Sequence, residues 1–332
     1  LVGSEMCIRD RITRELFGDI LFEARSEILA RLKEKAKTHS DRILYGNYLG
    51  KFDEGILIEL NDRFLLVDAG KIIVAAGGRT LKPIFKGNWE PGVVSREFYL
   101  RKLKGSRGPI LVLGFNDLAA RTAMQAEKAA ILAPKHVDFR FSPQYEEAVN
   151  ERGIELDKDY ILGVTRRGER LIVNTEKRSY EVSLVVFSVL KQPRIEVPAS
   201  LGVPYVYENH MYRPVKTESV YPTGGMLGII DESLSYMSGE NPEGEIKVEG
   251  YSFQGSPYYY GSDGLTCECE EIRLSDVDYV KSLGLTDVES VKRITGLGTG
   301  ECQGKACVVP VSDYLGSKAL ISFRSPIYPV RI

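Results

Sequence analysis

The residues best suited to chemistry lie near the carboxyl end. Cys267 and Cys269 form a C-x-C pair; after thirty-two intervening residues Cys302 and Cys307 form C-x-x-x-x-C. Two tight thiol pairs read as metal ligands rather than as a disulfide framework. A single zinc ion would take all four sulfurs, although its pairs are usually spaced C-x₂₋₄-C. A [2Fe–2S] cluster would take two thiolates on each iron. Cys302 lies in GTGECQGKA, residues 298 to 306, with Cys307 immediately after; at first sight this stretch is a phosphate loop. A P-loop requires glycine at 299 and a hydroxyl after the lysine. Those positions are Thr299 and Ala306, so the phosphate reading fails on spacing.

The elements around the thiols suit a cluster. LSDVDYVKSLG and TDVESVKRIT predict two short helices between the pairs, with Ser275 and Thr286 as N-caps. Gly296, Gly298, Gly300 and Gly304 surround Cys302; glycine lets backbone amides approach sulfur and stabilise its charge. A helix from about 303 would put Cys307 in its first turn, where the positive end favours thiolate.

The segments LTCECEEIRLSDVDYV and GLTDVESVKRITGLGTGECQGKACV resemble the bacterioferritin-associated-ferredoxin-like [2Fe–2S] domain, whose pattern is C-x-C and then G-x-G-x-C-Q-G-x-x-C. The version they are similar to is fused to flavoprotein subunits of amine and amino-acid dehydrogenases. The tail FRSPIYPVRI resembles the ending of the sarcosine oxidase alpha-subunit family, which groups with proline and hydroxyproline dehydrogenases and hydrogen cyanide synthase. The resemblance implies Cys267, Cys269, Cys302 and Cys307 as ligands of a [2Fe–2S] cluster.

Upstream, 15 to 37 has helical periodicity, and RILYGNYLG, GILIELND and RFLLVDAGKIIVAAGG read as strands. The last ends in Ala76, Gly77 and Gly78, small residues that let backbone approach a bulky ligand or simply make a tight turn. VAAGGRTLKPIFKGNWEPGV is similar to the A-T-G-G-R segment of two-dinucleotide-domain flavoproteins, which lies near FAD; Ala76 replaces the usual threonine. GPILVLGFNDLAARTA reads as the strand, turn and helix of a Rossmann unit. Its fingerprint falls on Gly114, Asn116 and Ala119, so the middle glycine is missing. The best candidate for the following acidic strand is 137 to 141, and an ordinary strand–helix turn is favoured over NAD(P) binding. Residues 160 to 190 alternate like a β-meander, and LVVFSV resembles the run that closes the family's second domain. KTESVYPTGG resembles the segment in which glycine, here Gly224, precedes an aspartate beside FAD; Gly225 replaces that aspartate.

The expected fold is thus α/β, the remnant of a two-dinucleotide-binding-domain flavoprotein with a small helical [2Fe–2S] domain. Its expected parts are a partial FAD domain at 12–105, a degenerate NAD(P)-like domain at 106–190, a return segment at 191–235, a linker at 236–262 and the cluster domain at 263–332. The family opens with its own G-x-G-x-x-G turn, and none precedes residue 73. Residues 1–11, LVGSEMCIRDR, resemble a translated sequencing adapter, so truncation is expected there. Tyr258, Tyr259 and Tyr260 read as ordinary packing rather than as a partner-facing patch.

Of the 332 residues 43% are hydrophobic and 27% charged, with net charge −2. There is no basic excess for nucleic acid, no apolar run of membrane length, and no hydrolase motif. The chain is expected to be cytoplasmic. Its expected role is electron transfer through FAD and the cluster, with Ala76, Gly77, Gly78 and Gly224 lining the flavin. An FAD-containing partner subunit would oxidise the amine. The alternative is a degenerate flavoprotein scaffold in which the four cysteines hold a zinc ion.

Overall fold

The protein is described by a computed structural model covering residues 30–330, except 106, 107, 231, 247, 249 and 329. The adapter-like segment and most of the 15–37 helix fall outside these residues; 30–38 are helical. Strands β1 (Asn47–Phe52), β2 (Gly55–Glu59) and β3 (Phe64–Val67) lie in the runs read as strands and form an antiparallel meander. Then follow the short strands β4 (Ile72–Val74), β5 (Gly78–Thr80) and β6 (Val93–Ser95).

The central sheet begins at β7 (Ile110–Leu113), followed by α1 (Asp117–Ala123), β8 (Ala129–Ala133), α2 (Pro143–Glu151) and β9 (Glu155–Lys158). An antiparallel meander, β10 (Ile161–Arg167), β11 (Arg170–Thr175) and β12 (Ser179–Val182), intervenes before β13 (Leu184–Phe187). β13 enters the parallel sheet, whose order is β6-β13-β7-β8-β9. The run ILVL is apolar throughout because β7 is covered on both faces. Leu111 and Leu113 pack toward the meander and the carboxyl end, whereas Ile110 and Val112 pack toward α1 and α2. Each such burial stabilises the fold by ~1.5–3 kcal/mol.

Residues 137–141 are not the predicted strand. They form a loop held by a single bridge between Asn116 and Arg140, with Arg140 donating its N–H to the Phe115 carbonyl at 2.7 Å. The preceding Pro134 has no N–H for a ladder, and the ladder ends at Ala133.

β14 (Lys191–Pro193) pairs antiparallel with β5 and leads into α3 (Glu196–Ser200). The hairpin of β15 (Tyr205–Glu208) and β16 (Met211–Pro214) turns at Asn209 and His210, with φ 55° and 60°. Positive φ at both central residues suits the right-handed twist of the flanking strands. β17 (Val220–Pro222) returns to pair parallel with β4.

Tyr258 and Tyr260 are fully buried. The Ile84 N–H donates to the Tyr258 carbonyl at 2.7 Å, and the Tyr260 N–H donates to the Ile84 carbonyl at 3.0 Å. This backbone pairing fixes the approach to the last part of the chain. That part comprises β18 (Leu265–Cys267), β19 (Ile272–Arg273), α4 (Leu274–Ser282), α5 (Val288–Thr295) and α6 (Val308–Leu315). Its Cys267, Val277 and Val308 share one hydrophobic core with Leu111 and Val185 of the central sheet.

Candidate metal centre and its neighbouring crevice

The four cysteines carry no disulfide and come from two places. Cys267 ends β18 and Cys269 follows in the turn to β19; Cys302 lies in the glycine loop, and Cys307 is the N-cap of α6. The helices between them are positioned by aspartates rather than by the predicted Ser275 and Thr286. Asp287 caps α5, its carboxylate accepting the Ser290 N–H at 2.8 Å. Asp263 accepts the Ser275 N–H at 2.9 Å, and Asp276 accepts that of Arg273 at 2.8 Å. A carboxylate brings charge as well as an acceptor to the positive end of a helix, which explains its preference here.

The sulfurs form a continuous series of contacts. Cys307 meets both Cys267 and Cys302, and Cys302 also meets Cys269. The contact with Cys307 holds the Cys302 thiol down at about 4, helped by the amides of Ala306 and Gly304. Cys267 is lowered to about 6, again first by Cys307 and then by the amides of Gly298, Glu270 and Cys269. Cys307 is pushed far up, because it faces those two sulfurs from a buried position. α6 begins at Val308 rather than near 303, so Cys307 is its N-cap and precedes its first turn. The Cys302 amide lowers Cys269, but burial and the neighbouring Cys302 and Cys267 outweigh it and leave Cys269 raised.

This is the predicted collar of amides around sulfur. Gly304, at φ 74°, allows it: a Cβ there would lie 2.6 Å from Val308 Cγ2. Among the described residues, no three His, Cys, Asp or Glu side chains converge so as to hold one metal ion. Two adjoining thiol pairs supply the four donors that two irons with two thiolates each would take. Cys269 is exposed, whereas Cys267 and Cys307 are buried, so one edge of the centre faces solvent.

The small residues after β4 sit beside this centre. β4 and β17 lie parallel, and the Thr223 N–H donates to the Val74 carbonyl at 3.0 Å. This pairing brings the Ala76–Gly78 turn against Gly224 and Gly225. A Cβ on Gly225 would be 3.3 Å from Gly77 Cα, so this glycine lets two backbones meet. Gly77 has φ 71° and open space where a side chain would project. The Gly224 amide is directed elsewhere, donating to Ser238 Oγ at 2.6 Å.

Sequence reasoning missed what links crevice to centre. Arg79, next after Gly78, donates from Nη1 to the Lys305 carbonyl at 3.1 Å and pairs through Nη2 with the buried Glu196. Lys305 Nζ donates to the Cys302 carbonyl at 3.0 Å. Burial lowers the Lys305 ammonium below the usual lysine range, opposed by the Glu196 charge. Lys82 pairs with Glu268, between the first two cysteines. Arg79 was visible in the A-T-G-G-R-like segment; nothing in the sequence marked Glu196.

The Rossmann-like turn is arranged differently. A Cβ on Gly114 would meet the Ser188 carbonyl at 2.5 Å and Ala119 Cβ at 2.7 Å, so this glycine serves helix–strand packing. Asn116 is fully buried. Its Oδ1 accepts the Leu118 N–H at 3.1 Å, and its Nδ2 donates to the Val189 carbonyl at 2.8 Å. Asp138, the acidic residue of 137–141, pairs with Lys158.

Residues 265–317 match the BFD-like [2Fe-2S] binding domain family, and all four cysteines lie in that range. Hydrogen cyanide synthase subunit HcnB of Pseudomonas aeruginosa is 33% identical over 54 residues, 16% of this chain and 12% of that protein. The chain thus matches only a small part of that relative's length. The fold is similar to that of L-proline dehydrogenase from P. horikoshii, with TM-score 0.60 and 21% identity, covering 90% of this chain and 68% of that one. The architecture is the expected α/β body with a Rossmann-like parallel sheet and a helical BFD-like domain at its end. Among the described residues no helix is long and apolar enough to cross a membrane.

Proposed function

We propose that this chain is the electron-transferring flavoprotein and iron–sulfur subunit of a multi-subunit amine or amino-acid dehydrogenase of the sarcosine, proline or hydroxyproline class. One observation carries the reading. The Ala76–Gly78 turn, through its next residue Arg79, is bonded directly to the loop holding Cys302 and Cys307 at the Lys305 carbonyl. Two cofactor segments in contact are what a short electron path requires. When bound, FAD takes a hydride's two electrons and a [2Fe–2S] cluster passes them singly.

The chain's own residues bind and orient. Cys267, Cys269, Cys302 and Cys307 hold the irons, and the amides around them stabilise the charge on sulfur. Ala76, Gly77 and Gly78 line the flavin with backbone. Gly224 supports that wall, its amide tied to Ser238. Gly114 and Ala119 shape a packing turn rather than an NAD(P) site. Substrate oxidation is assigned to a partner subunit with its own FAD, because no arginine clamp for a carboxylate is evident in this sequence. HcnB, named as a subunit, supports an assembly of more than one chain.

The full-length protein, purified anaerobically, tests this. Iron and acid-labile sulfide in equal amounts, with flavin absorbance near ~450 nm and a broad red shoulder, is the expected result. A colourless protein with one zinc per chain would favour the scaffold reading, which Gly225 and the Asn116-filled turn support. A colourless, metal-free protein would reject both.

A further inference from the structure

Between the glycine turn and the cysteine loop lies a partly buried set of charges that the ligand assignment does not use. Arg79 and Glu196 form its base, with side-chain exposures of 21% and 3%. Glu196 opens α3, where a carboxylate also meets the positive end of a helix. Arg79 reaches the Lys305 carbonyl, and Lys305 folds its Nζ back to the Cys302 carbonyl, with the Tyr328 ring 4.9 Å from that ammonium. Two cations and one anion leave a single net positive charge, fixed by hydrogen bonds and partly shielded from water.

We propose that the Arg79–Glu196–Lys305 network sets the reduction potential of the cluster, with Lys305 raising it and Glu196 tempering that rise. The inference rests on the iron–sulfur reading above. A [2Fe–2S] cluster gains one unit of negative charge on reduction, so a nearby fixed cation favours the reduced form. In a partly buried site a unit charge several ångströms away is worth more than one in bulk water, on the order of a tenfold change in equilibrium. The arrangement also has a direction. Its positive end, Lys305, is held on the Cys302 loop, whereas its anion is held beside Arg79 of the flavin-facing turn. Electrons arriving at the glycine turn are thereby drawn toward the cysteines.

EPR-monitored redox titration of the full chain tests this at neutral pH with Lys305→Met, Lys305→Arg and Glu196→Gln. Lys305→Met is expected to cut the ratio of reduced to oxidised cluster about tenfold at fixed ambient potential, ~59 mV for a one-electron couple. Lys305→Arg should restore most of it. Glu196→Gln should shift the potential the opposite way, by less. Opposite signs matter, because simple loosening of the loop would move both variants alike. An unchanged potential in Lys305→Met, or shifts of the same sign in Lys305→Met and Glu196→Gln, would overturn the inference. Should Glu196→Gln fail to fold, the Met and Arg variants decide alone. A wild-type chain with no cluster signal would overturn the functional reading itself, whereas unaltered potentials in iron-loaded variants would overturn only this inference.

Discussion

Two loops in this molecule are built alike and do different work. Residues 298–307 run through glycines into α6; residues 114–116 run from a glycine into α1. In the first, amides of Gly298, Gly304 and Ala306 are directed at sulfur. In the second, the Leu118 N–H is taken by the Asn116 side chain, and the Ala119 and Ala120 N–H groups by the Asn116 carbonyl, at 2.8 and 3.1 Å. A glycine-bearing turn ahead of a helix is therefore not a binding site in itself. What decides is whether its donors are left for a ligand or consumed by the chain.

The largest test of this contrast is removal of a sulfur. Cys302 touches Cys307 and Cys269 and receives two backbone amides, so Cys302→Ser should cost the cluster outright. Metal binding contributes to the folding of such a domain, by roughly several kcal/mol. The expected result is loss of iron and earlier melting of the C-terminal helices, read by iron assay and calorimetry. Full iron retention would contradict the ligand assignment.

A smaller effect is expected from Gly300→Ala. The added Cβ would lie 2.4 Å from Cys269 Cβ and 2.6 Å from Glu270 Oε1, so the two cysteine segments must separate slightly. Overpacking of this kind costs ~1–3 kcal/mol. Iron should bind but be lost faster to a chelator, and an unchanged loss rate would mean that the loop yields without strain.

These cases also mark what the sequence could disclose. The four cysteines stood out as a candidate ligand set because they lie within a short stretch, in a spacing that few sites use. The strand-and-turn outline of β4, β7 and β13 was legible from local apolar runs. The N-caps were placed one or two residues away, since serine, threonine and aspartate compete for the same role and only geometry chooses. The Arg79–Lys305 bond joins residues 226 positions apart, and Glu196 sits in a helix with no pattern around it. Such long-range ion pairing leaves no periodic trace in the chain.

On the other loop, Asn116→Ala should destabilise without touching the cluster. It removes the cap of α1 and leaves the Val189 carbonyl without its donor in a buried place. The two losses together are worth roughly 1–3 kcal/mol. Urea denaturation should record that decrease while the visible spectrum stays the same. A spectral change would show that the turn communicates with the cofactor segments after all.

The smallest expected effect is the response to NADH. A dinucleotide pyrophosphate needs open amides at the head of α1 and close backbone approach at the second fingerprint position. Asn116 fills that position and binds the nearest amide, while Asp138 is committed to Lys158 rather than free to hold a ribose. Adding excess NADH to the oxidised, fully loaded protein should therefore bleach it no faster than a control without nucleotide. Rapid bleaching by NADH, abolished in a variant with a bulkier residue at Ala119, would show that Asn116 swings away and that this loop, too, keeps donors for a ligand.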